Sequence, residues 1–180
     1  KSGPNAGLGI PYEPMLVIQA QAQLLKDADR LAASKPYRFD IVDVQRQMMT
    51  NLGQLVHKKA AEAFVAKDKA AFTLHSRRFL ELLSDMDELL YTRSEYSFDK
   101  WLTEARSWGE TKEEKDLMER DATSLVTIWG ADGDPRIFDY SWREWAGLIN
   151  GYYLPRWQKF YTMLQGHLDA GTDYQENGYI

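Results

Sequence analysis

Apolar residues recur at steps of three and four along most of this chain, and every element they predict is a helix. From Pro14 to Ala33, Ile18, Ala22, Leu25, Ala28 and Ala32 form one stripe, with Pro14 suited to a first turn. Ser34-Lys-Pro36 breaks that helix, and a second runs from Tyr37 to Lys67 with Ile41, Val44, Met48, Leu52 and Leu55 on one face. Asp68 is placed to cap a third, the cleanest amphipathic signal, carrying Phe72, His75, Phe79, Leu82, Met86 and Leu89. A short fourth helix from Ser97 to Gly109 turns Phe98, Trp101, Leu102, Ala105 and Trp108 inward. Thr111 and Glu114 form a capping box for a fifth, with Leu117, Asp121, Leu125 and Ile128 towards one side and its end at Trp129-Gly130. After a loop from Ala131 to Asp139, Ser141 and Glu144 read as a second capping box. The last helix then reaches Ala170 with Trp145, Leu148, Ile149, Tyr152, Phe160 and Leu164 inward and a kink at Pro155.

No alternation of period two persists, so the fold class is all-α, an irregular bundle of about six helices with a Gly-rich, Trp-containing loop before the last long helix. No fixed-period self-similarity marks a repeat array. Residues 1–13 read as a linker from an upstream domain, 14–170 as the helical domain and 171–180 as a truncated tail; Lys1 and the loose Ser-Gly-Pro-Asn-Ala-Gly-Leu-Gly after it suit a fragment.

Composition narrows the function classes. The 180 residues suit one domain, and 44% hydrophobic with 27% charged residues is ordinary for a globular fold. A net charge of −5, with acidic and basic residues interleaved, argues against nucleic acid. No apolar run approaches the roughly 20 residues that cross a bilayer, and no signal peptide is read at the start. Zero cysteines exclude disulfides, thiol nucleophiles and thiolate metal sites. Six Trp, ten Tyr and seven Phe are many for this length; most serve the core, and those beside Gly-rich loops are the functional candidates.

Few side chains have the spacing that chemistry needs. None of His57, His75 and His167 follows a Glu by three positions, so the di-iron bundle pattern is absent, and we assign no metal and no organic cofactor. His75 reads as a core histidine and His57, beside Lys58 and Lys59, as a residue at a solvent edge. Asp132-Gly-Asp134 lacks the further oxygens of a calcium loop. Ser124 and Ser141 lack the Gly-x-Ser-x-Gly setting of a nucleophile. Asp40, Asp43, Arg46 and Gln47 share a helix face that either reads a sugar or a backbone, or is a dipole-favoured acidic pair with an ordinary ion pair. The segment Trp129-Gly-Ala-Asp-Gly-Asp-Pro-Arg-Ile-Phe-Asp-Tyr140 suits a binding loop, since an exposed indole stacks on a pyranose face. The alternative is a loop folded over the core with Trp129 buried.

The same segment carries a resemblance. Ile128-Trp-Gly, then Ile137-Phe-Asp-Tyr140, then Trp145-Ala-Gly-Leu-Ile-Asn-Gly-Tyr-Tyr-Leu-Pro-Arg-Trp157 is similar to the C-terminal helical domain of the α-N-acetylglucosaminidases, glycoside hydrolase family 89. Upstream, Tyr37-Arg-Phe-Asp-Ile-Val-Asp-Val-Gln-Arg-Gln47 resembles that family's Tyr-Asp-x-x-Asp-x-x-Arg-Gln helix. The resemblance implies a retaining exo-hydrolase of terminal non-reducing α-linked N-acetylglucosamine, in animals from heparan sulfate, with two catalytic glutamates on a (β/α)8 barrel that precedes this chain. No catalytic residue is therefore assigned here. It also implies that this domain packs on the barrel as one wall of the pocket, with Trp129 and Ile137 facing the sugar and Asp139 and Tyr140 supporting the loop. The implied partners are the chain's own barrel and a glycan ending in N-acetylglucosamine, in an exported or lysosomal protein. The loop departs from the family pattern by being longer, through Asp134, Pro135 and Arg136. Two other readings stay open, an independent glycan-binding module and a helical protein-interaction domain.

Overall fold

The structure, a computed structural model, describes residues 10–129, 139 and 141–174. Among them are seven α-helices and no strand: α1 (Pro14–Lys26), α2 (Ala28–Leu31), α3 (Lys35–Val65), α4 (Lys69–Tyr91), α5 (Phe98–Arg106), α6 (Lys112–Val126) and α7 (Leu154–Ala170). None is long and apolar enough to cross a membrane. The all-α expectation holds, and most helix starts are where side-chain capping places them. Ser34, Asp68 and Ser97 each accept from a backbone N–H of the first turn, and Thr111 and Glu114 complete a reciprocal capping box. The first predicted helix is interrupted at Asp27, which leaves α2 as a single turn.

The long antiparallel pair α3 and α4 is the frame, and α7 lies across it. Ala60, Ala63, Phe72, Phe79, Tyr161, Leu164 and Leu168 form one core cluster among the three helices. Val42, Met49, Met86, Leu90, Ala146 and Ile149 form the second, towards the other end. A side chain such as Phe72, 1% exposed, contributes on the order of 2 to 3 kcal/mol by leaving water.

Three predicted stripes face the wrong way by about one position. On α3 the inward residues are Val42, Met49, Gly53, Ala60 and Ala63, while Leu52 and Leu55 are about half exposed. A Cβ on Gly53 would lie 3.5 Å from Leu82, an ordinary van der Waals distance, and the small residues Gly53, Ala60 and Ala63 continue the buried face that Val42 and Met49 begin, so a stripe traced through the large residues alone falls one position off. On α1, Gln21 is buried and donates to Gln45 at 3.0 Å, whereas Ile18 and Leu25 are exposed. On α6, Ala122 and Val126 are buried and Leu117 and Leu125 are exposed. Trp108, expected inside, is 83% exposed; only Trp101 packs, donating its indole N–H to the Ala122 carbonyl at 3.1 Å.

The start of the last helix is also corrected. Ser141 and Glu144 form no capping box, because residues 141–145 are not helical and Glu144 is committed elsewhere. Helical backbone begins near Leu148 and passes through a π-helical turn, Ile149–Tyr153, into α7. Pro155 lies in the first turn of α7, so the irregularity expected at this proline is taken up by the π-turn just before it.

Candidate functional site

Helix α6 stops at Val126, and the chain turns sharply at its C-terminal end. The Thr127 hydroxyl donates to the Thr123 carbonyl at 2.7 Å, and the Trp129 N–H donates to the Ser124 carbonyl at 2.7 Å. Trp129 has φ +50°, and Asp139, where the chain is next described, has φ +59°. Neither is a glycine, and a left-handed conformation costs an ordinary residue roughly 1–2 kcal/mol. Such backbone persists only where its surroundings hold it.

The restraints are visible at Asp139. Its N–H donates to the Thr127 carbonyl at 3.0 Å, which joins the two limbs of the loop into a neck. Both carboxylate oxygens lie 2.8 Å from Nη1 of Arg156, a residue of α7. The Arg156 guanidinium in turn sits 4.8 Å over the Tyr152 ring, a cation–π contact that fixes its plane. Tyr153 donates to the Val126 carbonyl at 3.4 Å. Burial disfavours the charged form of Arg156, but the Asp139 carboxylate outweighs it and the guanidinium is held above its ordinary value. Burial pushes the Tyr153 phenol up to about 12, so it stays a neutral donor.

Beside the neck is a cavity of about 260 Å³ lined by His57, Asp139, Tyr153, Arg156, Trp157 and Phe160. His57 is not at a solvent edge. It is wedged among Phe79, Trp157 and Tyr161, with Nδ1 and the Tyr161 hydroxyl sharing a hydrogen bond at 2.8 Å. Burial disfavours the imidazolium and pulls its pKa below the ordinary histidine value.

The polar face of α3 is engaged inside the fold. Asp43 accepts from Arg46 at 2.8 Å and from the Tyr96 hydroxyl at 2.7 Å; Arg46 also pairs with Glu144, whose other oxygen accepts from Thr50 at 2.6 Å. Burial raises the Asp43 carboxyl, but Tyr96 and Arg46 outweigh it and hold it below the usual range. Gln47 donates to Tyr12 and Asn51, and Asp40 is exposed. The network therefore fastens α3, through Arg46 and Thr50, to Glu144 in the segment that follows the loop.

Of the residues singled out in the sequence, Trp129 and Asp139 are brought to the two limbs of one neck, and Trp129 is half-buried. Ile137, Tyr140, Asp132 and Asp134 lie outside the described residues. Arg156, Tyr152 and Tyr153 are not site candidates from the sequence, although all three stand in the Tyr-Tyr-Leu-Pro-Arg run that carries the family resemblance. Arg156 is 17 positions from the carboxylate it grips, a separation that helical periodicity does not report.

A model of the family described as the α-N-acetylglucosaminidase C-terminal domain matches residues 3–179. The chain belongs to that family. Human α-N-acetylglucosaminidase is 33% identical over 168 residues, covering 92% of this chain and 22% of the relative. A family 89 glycoside hydrolase from Clostridium perfringens, solved with 2-acetamido-1,2-dideoxynojirimycin, superposes with a TM-score of 0.88 at 30% identity, covering 95% of this chain and 20% of that one. The same coverage and TM-score hold for a doubly substituted form of the bacterial protein in complex with its substrate, GlcNAc-α-1,4-galactose. The chain thus spans about a fifth of the length of the relatives it matches.

Proposed function

We propose that this chain is the helical domain of an exo-acting α-N-acetylglucosaminidase, a retaining enzyme of terminal α-linked N-acetylglucosamine, and that it forms one wall of the substrate pocket. The observation that carries the reading is the agreement in fold at 30% identity with a glycoside hydrolase holding GlcNAc-α-1,4-galactose, together with a tryptophan held half-exposed at a braced loop neck. Retaining hydrolysis needs two carboxyl groups about 5 to 5.5 Å apart, one as nucleophile and one as acid/base. Those are assigned to a barrel domain outside this chain. Trp129 and Ile137 face the sugar, Trp129 through the apolar face of its ring, while Asp139 and Tyr140 support the loop.

The domain's partner in this reading is that barrel. The exposed apolar residues support an interdomain contact: Leu16, Ile18 and Leu25 on α1, and Trp108, Met118 and Leu125 on the α5–α6 hairpin, lie outside both core clusters. Export or delivery to the lysosome is the corresponding location.

The test is hydrolysis of an aryl α-N-acetylglucosaminide by the full-length chain, with Trp129→Ala beside the wild type. An active wild type and a folded variant reduced tenfold or more in kcat/KM, about 1.4 kcal/mol of transition-state binding, supports both activity and wall. An active wild type with an unimpaired variant reduces the domain to a scaffold, and an inactive wild type overturns the substrate assignment.

A further inference from the structure

Among the described residues, Arg156 of α7 braces the neck of the loop at Asp139, beside the Tyr153 contact to Val126. Trp129 is two residues from Thr127, the Thr127 carbonyl is bonded to the Asp139 N–H, and the Asp139 carboxylate is gripped through both oxygens by Arg156. Arg156 is itself placed by Tyr152, at 4.8 Å under its guanidinium, and by the π-turn that carries Tyr152 and Tyr153. Its side chain is 42% exposed and that of Asp139 31%, so the pair is neither a loose surface ion pair nor sealed in the core. Both Trp129 and Asp139 have left-handed backbone without being glycines, a state that needs such a brace.

We infer that Arg156 is a positioning residue for the sugar-facing wall: acting through Asp139, it fixes where the Trp129 indole stands. It makes no contact with substrate in this account. The inference rests on the wall reading above, and the two are separable by experiment.

The experiment measures inhibition of the full-length enzyme by 2-acetamido-1,2-dideoxynojirimycin for Arg156→Met, Arg156→Lys, Trp129→Ala and the double variant Arg156→Met/Trp129→Ala, with thermal midpoints recorded beside each. Arg156→Met keeps the stem and removes the charge. Its expected effect is a rise in inhibition constant of about tenfold, with Arg156→Lys within about threefold of wild type because an ammonium still reaches the carboxylate. In the Trp129→Ala background Arg156→Met adds less than about twofold, since the indole it positions is gone. A tenfold loss that persists in that background places the action of Arg156 elsewhere and overturns the inference. Wild-type inhibition by Arg156→Met, with Trp129→Ala impaired, overturns it while leaving the wall intact; wild-type inhibition by Trp129→Ala overturns the wall itself. Should Arg156→Met not accumulate folded, Asp139→Asn carries the same comparison with the same expectations.

Discussion

Asp87 is 1% exposed in the middle of the fold, and its carboxylate is the N-terminal cap of the last helical segment, supplied from α4. One oxygen accepts from the N–H groups of Gly147 and Asn150 at 2.8 and 3.1 Å, and the other from the Asn150 amide at 3.0 Å. The first amides of a helix have no intrahelical partner and carry its positive end, so an anion fits here on both counts. Asp87→Ala strands three donors in a site with almost no water. At about 1–3 kcal/mol for each unsatisfied buried group, and with partial relaxation, the loss is on the order of 3–5 kcal/mol. Asp87→Asn keeps the shape and two acceptances, and Asn150 can turn its amide over to accept from the new one, because its own Oδ1 is buried without a partner. Only charge–dipole attraction and charge assistance are lost, about 1–2 kcal/mol. For a chain of this length each kcal/mol moves the midpoint by about 2–4 °C, so thermal unfolding followed by circular dichroism separates a drop of about 2–8 °C for Asn from about 6–20 °C for Ala. Equal losses in the two variants, or a loss below about 1 kcal/mol for Ala, refute the capping account.

His57 makes stability depend on pH. Its folded pKa lies below the ordinary value of 6.5 because burial penalises the imidazolium, so the unfolded chain binds more protons and stability falls as the pH drops below 6.5. His57→Gln flattens that part of the stability profile, measured by urea unfolding across the acidic range; an unchanged slope contradicts the assignment. At the α5–α6 turn, a Cβ on Gly109 would meet the Lys115 nitrogen at 2.6 Å and the Glu114 carbonyl carbon at 2.8 Å, both backbone atoms. Gly109→Ala therefore destabilises the hairpin by about 1–3 kcal/mol in denaturant unfolding, and a neutral substitution shows that the turn opens freely.

Helix existence was legible partly because capping residues announce themselves: Asp68 and the Thr111–Glu114 box do in the structure what their chemistry proposes, while Ser34, read only as a break, and Ser97, read only as a start, also cap. Helix faces were less legible. Periodicity follows large apolar residues, and the buried face of α3 mixes Val42 and Met49 with the small Gly53, Ala60 and Ala63, while Leu52 and Leu55 lie on the outer side. In α6 and on Trp108 the apolar outer residues belong to a surface that this domain does not itself cover. Ser141 and Glu144 mimic a capping box, but Arg46 and Thr50, about a hundred positions upstream, claim the glutamate. Trp129 stands out in the sequence as the aromatic end of a Gly-rich loop, and Asp139 through the family resemblance. Arg156 and His57 do not, since their roles arise from contacts across the bundle.

The most direct test of the wall reading is the structure of the full-length protein with 2-acetamido-1,2-dideoxynojirimycin bound. The account predicts the Trp129 ring in van der Waals contact with the inhibitor, within about 4 Å, while Arg156 stays on Asp139 behind it. An inhibitor site walled by other segments, with Trp129 packed against protein and away from the sugar, contradicts it.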